Sequence, residues 1–211
     1  MMSHLPRSQI LDWLSVHVPP PRIQHILGVE QMAVELADYY QLNRHQAQLA
    51  GLMHDLAKYY PPQLLLEMAR THNISLDPIL LAHPHLLHAD VGAIVACEEF
   101  NIKDEEILTA IANHTLGRPE MSPLSCIIFL ADCLEPSRGN TATLNTLRSL
   151  CFQSLYKAVW QTCDDTLQYL MKMSLVIHPR AILTRNWALS IHKQQLSTDN
   201  QSPDAQSMTS H

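Results

Sequence analysis

Apolar residues recur three and four positions apart along nearly the whole chain, the pattern of helices that bury one face. Between Ile23 and Tyr40 they fall at Ile26, Val29, Ala33, Leu36, Ala37 and Tyr40. A second run, from about Arg44 to Ala57, turns Ala47, Ala50, Met53 and Ala57 to one side. Pro61 and Pro62 then open a short helix that reaches about Thr71, because a first turn does not need the N–H that proline lacks. Further helices are predicted from about His88 to Phe100, Asp104 to Asn113 and Ser122 to Glu135. In the last of these Ser122 caps, Pro123 takes the first helical position and Pro136 enforces the stop. One long helix or a pair is predicted from about Thr143 to Met173, and a final helix from about Pro179 to Lys193. Leu175, Val176 and Ile177 could be extended, but three residues do not make a sheet. The pattern therefore predicts an all-α globule of about seven to nine helices, forming one domain over residues 1–196. The stretch 197–211, STDNQSPDAQSMTSH, has no apolar face and is expected to be a disordered tail.

Composition narrows the function. The 211 residues carry 14 Lys+Arg against 20 Asp+Glu, a formal charge of -6, so no global positive field holds nucleic acid or an anionic membrane. Five glycines, none spaced as GxGxxG or GxxxxGK[ST], exclude Rossmann and P-loop nucleotide sites. Five cysteines without a CxxC argue against a disulfide framework and a thiolate zinc site, and point to a reducing, cytoplasmic setting. No run of about 18 apolar residues or leader-like start is present, so neither membrane insertion nor secretion is expected. The 13 histidines are the abnormal feature, and imidazole is the commonest metal ligand.

The sharpest local signal is His54-Asp55 in GLMHDLAKYYP, placed where two adjacent side chains can grip one ion from two sides of a helix end. His25, His88, His114 and Asp132 sit at inward or helix-terminal positions elsewhere. A single histidine on an apolar face is more often a satisfied core residue, and an aspartate among apolar residues needs a cationic partner. The case for chemistry therefore rests on the order of all six, H…HD…H…H…D, spread over separate helices.

In that order, and in the segments RIQHILGV, LAGLMHDLAKYYP, LLHADVGA, NHTLGRPEMS, IIFLADCLEPSRG and LVIHPRAILTRNW, the chain resembles the HD-domain phosphohydrolases, and among them the YqeK family of symmetrical dinucleoside tetraphosphatases. The resemblance spans roughly residues 10–193 and implies an HD fold with a dinuclear centre. His25, His54 and Asp132 would hold one ion, His88 and His114 the other, and Asp55 would bridge them. Iron is the family's implication, while the imidazole and carboxylate donors suit manganese or zinc as well. Two such ions can share a hydroxide and clamp a phosphoryl group, so that no Ser or Cys nucleophile is needed. Lys58 and Arg138 would stabilise phosphate charge beside His54 and Asp55, with Arg22, Thr115 and Arg118 as further phosphate contacts. Leu175, Val176, Ile177, His178, Pro179 and Arg180 match the family's nucleotide-contacting strip.

The implied reaction splits diadenosine tetraphosphate into two ADP. The partners are thus a small dinucleoside polyphosphate or ADP, with no nucleic acid and no membrane; Gly92-Ala93 permits a homodimer without requiring one. Alternatives retain the metals with a mononucleotide or cyclic dinucleotide as substrate, or make the chain a non-catalytic sensor of ADP-like nucleotides. In AHPHLLHAD, His83 or His85 competes with His88 as a ligand, and Asp90 stands where the family pattern has proline, to pair with a cation or to weaken phosphate approach.

Overall fold

The computed structural model describes residues 6–199. Among them lie eleven α-helices: α1 (Arg7–His17), α2 (Pro20–Tyr39), α3 (Arg44–Met53), α4 (Pro62–Thr71), α5 (Pro78–Ala82), α6 (His88–Phe100), α7 (Glu105–Asn113), α8 (Pro123–Leu134), α9 (Ala142–Cys151), α10 (Leu155–Lys172) and α11 (Pro179–Asp199). Two 3-10 turns, Pro84–Leu87 and Pro136–Arg138, lead into α6 and out of α8. The described residues contain no strand, so the all-α expectation holds, but the count exceeds seven to nine.

Two helices escape a reading by periodicity. The first, α1, fully buries only Ile10 and Leu14, too few anchors for an apolar stripe to register before Pro19 ends it. The second, α5, has five residues and exists because Asp77 caps it, accepting from the Ile79 and Leu80 N–H groups, with Pro78 at its first position. The stretch 143–173 resolves into the pair α9 and α10. Residues 197–199 finish α11; the rest of the expected tail, 200–211, lies outside the described residues.

The second predicted helix also ends early, at Met53 rather than Ala57. His54 folds its Nδ1 back onto the Gly51 carbonyl at 2.7 Å, and residues 54–59 continue as tight turns, with the Lys58 N–H donating to the Asp55 carbonyl at 3.0 Å. The His-Asp pair therefore sits on an irregular bend, where successive side chains can converge as a helix would not allow.

α8 is the central rod, with Cys126, Ile127, Ile128, Leu130 and Ala131 all fully buried. α2, α3, α7 and α10 pack around it, α6 covers α7, and α9 and α11 brace α10. Small residues permit the closest approaches. A Cβ at Gly51 would press on the backbone of Glu30, and one at Gly92 would meet the His54 carbonyl at 3.2 Å. These two contacts seat α3 against α2, and α6 against the bend after α3, which is what brings the ligand-type side chains together.

Candidate metal centre

Four histidines from four parts of the fold turn Nε2 toward one interior region: His25 from mid-α2, His54 at the end of α3, His88 opening α6 and His114 closing α7. In three of them Nδ1 bonds to a main-chain carbonyl: His54 to Gly51 at 2.7 Å, His88 to His85 at 2.6 Å and His114 to Ile111 at 2.8 Å. In the fourth, His25 Nδ1 lies 2.8 Å from the Glu135 carboxylate. A carbonyl or carboxylate can only accept, so each Nδ1 carries a proton, and in a neutral ring Nε2 is then a bare lone pair.

Those lone pairs face one another. His25 and His54 approach to 3.3 Å between Nε2 atoms, and His88 and His114 to 3.1 Å. Asp132 Oδ1 lies 3.0 Å from His25 Nε2 and 3.8 Å from His54 Nε2. Asp55 stands between the pairs, with Oδ2 3.3 Å from His54 Nε2 and Oδ1 3.5 and 3.8 Å from the Nε2 atoms of His88 and His114. Buried acceptors crowded at these distances repel unless a cation lies among them. Asp55 Oδ1 is itself buried and makes no hydrogen bond. His25, His54 and Asp55 form one group of ligand spacing and Asp55, His88 and His114 another, so the donor set suits divalent metal.

Burial and charge act on the cluster in opposite senses. Burial first, and Lys58 next, push His88 down to about 4; burial with His54 and His88 alongside holds His114 well below the histidine range. Burial acts the same way on His54, but the Asp55 carboxylate beside it raises its pKa overall. Burial would raise both carboxyls, yet the histidines with Arg22 hold Asp55 well below the usual range, and the histidines with Arg138 do the same for Asp132.

A family model for the HD domain matches residues 22–137, the span from Arg22 to the segment after Asp132. The symmetrical bis(5'-nucleosyl)-tetraphosphatase of Halalkalibacterium halodurans is 36% identical over 183 residues, covering 87% of this chain and 97% of that one. The protein of the same name from Bacillus subtilis is 34% identical over 185 residues, covering 87% and 98%. The chain belongs to the HD-domain family, in its symmetrical bis(5'-nucleosyl)-tetraphosphatase branch. A crystal structure from Clostridium acetobutylicum, described as a predicted HD superfamily hydrolase involved in NAD metabolism, matches this tetraphosphatase-family fold with a TM-score of 0.84 at 34% identity, covering 89% of this chain and 99% of that one.

Around the cluster of this HD domain stand three cations. Arg22 pairs with Asp55, Arg138 donates to Asp132 Oδ1 at 2.6 Å, and Lys58 Nζ lies 3.2 Å from His88 Nε2. Thr115 Oγ1 is 3.1 Å from the same nitrogen. His88, not His83 or His85, enters the cluster; His85 contributes its carbonyl, while the rings of His83 and His85 meet edge to face with centroids 5.9 Å apart.

Arg118 and the strip 175–180 join a second arrangement. Asp90 receives Arg180 at 3.1 Å and Arg118 at 3.4 Å, so the acid in place of proline pairs with cations. Arg180 also reaches the Ala112 carbonyl at 3.2 Å, and His178 is buried against Asp77 at 2.7 Å. Leu175 and Val176 stay half exposed.

Sequence reasoning passed over Glu135 and Asp77. Glu135 looks like an ordinary helix end before proline, yet it is 1% exposed and bonded to His25 and to both the N–H and hydroxyl of Ser137. A carboxylate directly before a proline stop, one helical turn past Asp132, was the available signal.

Proposed function

We propose that this protein hydrolyses diadenosine tetraphosphate symmetrically to two ADP at a dinuclear centre. The observation that carries the reading is the convergence of four bare imidazole nitrogens and two carboxylates on one buried region, bordered by three cations, in a chain of this family. In this reading His25, His54 and Asp132 hold one divalent ion, His88 and His114 the other, and Asp55 bridges; iron is favoured, with manganese and zinc fitting the same donors. Such ions, when bound, polarise phosphoryl oxygens and lower the pKa of water.

The chain's own groups do the rest. Burial lowers the Lys58 pKa, and its ammonium, held at the His88 edge, meets a phosphate oxygen arriving there. Arg22 and Arg138, on different carboxylates of the cluster, neutralise charge on the polyphosphate. Thr115 and Arg118, which follow His114 along the same loop, would meet the phosphates from that side. Leu175, Val176 and Ile177 offer apolar surface to a base, while His178, Pro179 and Arg180 anchor that strip. A pocket that seats one nucleoside diphosphate half determines which bridging oxygen departs, and hence the symmetry.

The test is product analysis with purified protein of measured metal content. ADP as sole product, about two ions per chain, and a loss of activity in Asp55→Ala on the order of 10²–10³ or more, the scale of single transition-state contacts, is the expected result. AMP with ATP would refute symmetric cleavage, and no product from fully metallated protein would refute the substrate.

A further inference from the structure

One histidine of the four is held differently. His54, His88 and His114 rest on neutral carbonyls, but His25 donates to a carboxylate, and that carboxylate is built in. Glu135 is buried beside α2, where a Cβ on Gly28 would collide with its Oε2. Gly28 lies in the middle of a 20-residue helix, where glycine costs about 1 kcal/mol relative to alanine. It is the residue that admits this carboxylate. Ser137 holds the group at both oxygens, its N–H donating to Oε2 at 2.7 Å and its hydroxyl to Oε1, the oxygen that faces His25. Arg148 fixes the backbone beneath by donating to the carbonyls of Leu134 at 2.6 Å and Glu135 at 3.1 Å.

The carboxylate makes the two halves of the cluster unequal. Around His25 and His54 stand Asp132 and the shared Asp55, each paired with an arginine, Arg138 and Arg22, and Glu135 stands directly behind the imidazole as a further negative charge. Around His88 and His114 stands the shared Asp55 alone, with the Lys58 ammonium 3.2 Å from His88 Nε2. Attraction for a divalent cation follows local charge, and a carboxylate behind a ligating imidazole strengthens its donor nitrogen and fixes its tautomer.

We propose that Glu135 is a positioning residue that makes the His25 half the tighter metal position, so that the centre fills in order: first at His25, His54 and Asp132, then at His88 and His114. The inference rests on the two-ion reading above. The second position, poorer in carboxylates and beside Lys58 and Thr115, is then the exchangeable one.

Metal-stripped full-length protein is titrated with Co2+, followed by calorimetry and by the visible absorption of the bound ion. The wild type should show two separated steps, each of one ion per chain. His114→Gln should abolish the weaker step and keep the tighter one. In that background Glu135→Gln, which retains size and a hydrogen-bond acceptor but removes the charge, should weaken binding by roughly 10–100-fold. Gly28→Ala, whose added methyl group collides with the Glu135 carboxylate and displaces it from His25, should move the same step in the same direction, and serves if Glu135→Gln does not fold. Two equal steps in the wild type, or unchanged affinity in Glu135→Gln, would overturn the proposal and leave the metal centre standing. A wild type that binds no Co2+ would overturn both.

Discussion

At the residue scale the centre is a matter of which proton sits where. Because each Nδ1 is committed to an acceptor, each Nε2 is left free to face the cluster, and the character of the site follows from hydrogen bonds that these histidines make behind themselves. This has a consequence for stability. Folded His88 titrates at about 4, whereas a free histidine titrates near ~6.5. Between those values the unfolded chain binds a proton that the folded chain does not. The contribution of His88 is thus largest above about 6.5, is lost as pH falls toward 4, and is level below; its full extent is on the order of 3 kcal/mol. Urea unfolding of metal-stripped protein across this window should give a clearly shallower pH slope for His88→Gln than for wild type, and equal slopes would contradict the assignment. Lys58 is a second case. Lys58→Met should lower kcat/KM for the dinucleotide by about 10²-fold or more with metal content unchanged, the scale of one electrostatic contact in a transition state; loss of metal in the variant would mean that Lys58 shapes the cluster instead. The six ligand-type residues could be picked out of the sequence because they stand in the order H…HD…H…H…D over separate helices, although none of them is distinctive alone. Glu135 was not legible, because its partner is 110 residues away.

At the scale of elements, the site depends on where helices end. α3 stops at Met53 because His54 turns its own ring onto the Gly51 carbonyl, and α8 stops at Leu134 because Pro136 cannot continue it. Both stops were anticipated in position within a few residues. The bend at 54–59 was not, since the apolar pattern of Ala57 reads equally well as another helical turn. α5 shows the same limit, since a five-residue helix made by an Asp77 cap has no period to detect. The strip 175–180 is likewise an element defined by its anchors. Asp90 joins α6 to Arg180 at the start of α11 and to Arg118 in the loop after α7, and Asp77 receives His178. Removing the shared carboxylate in Asp90→Ala should release both arginines and raise KM for the dinucleotide about tenfold, as bonds to charged groups are worth ~1.5–3 kcal/mol, while metal content stays the same. Steady-state kinetics beside metal analysis checks this; an unchanged KM would show that the strip holds its place without the clasp.

For the whole molecule, folding and metal binding are coupled, because the cluster brings mutually repelling acceptors into a buried region. A ligand bound only by the folded chain adds ~2.7 kcal/mol at a hundredfold excess over its Kd, which for a chain of this size is about 5–10 °C in Tm. Thermal melts should show a rise of this order when divalent metal is restored to stripped wild type, and little or none for Asp55→Ala; equal shifts would place the binding elsewhere. No helix among the described residues is long and apolar enough to cross a membrane, in keeping with the charge and composition of the chain. The sequence by itself determined the helical class, most helix limits and the identity of the ligand-type residues, because periodicity, capping and donor chemistry act over a few neighbouring positions. Only the tertiary structure decided which nitrogen of each histidine faces inward, that Glu135 stands behind His25, and that Asp90 pairs with Arg118 and Arg180. Those depend on how α2, α3, α6, α7, α8 and α11 pack against one another, and packing sets distances between residues that no local pattern connects.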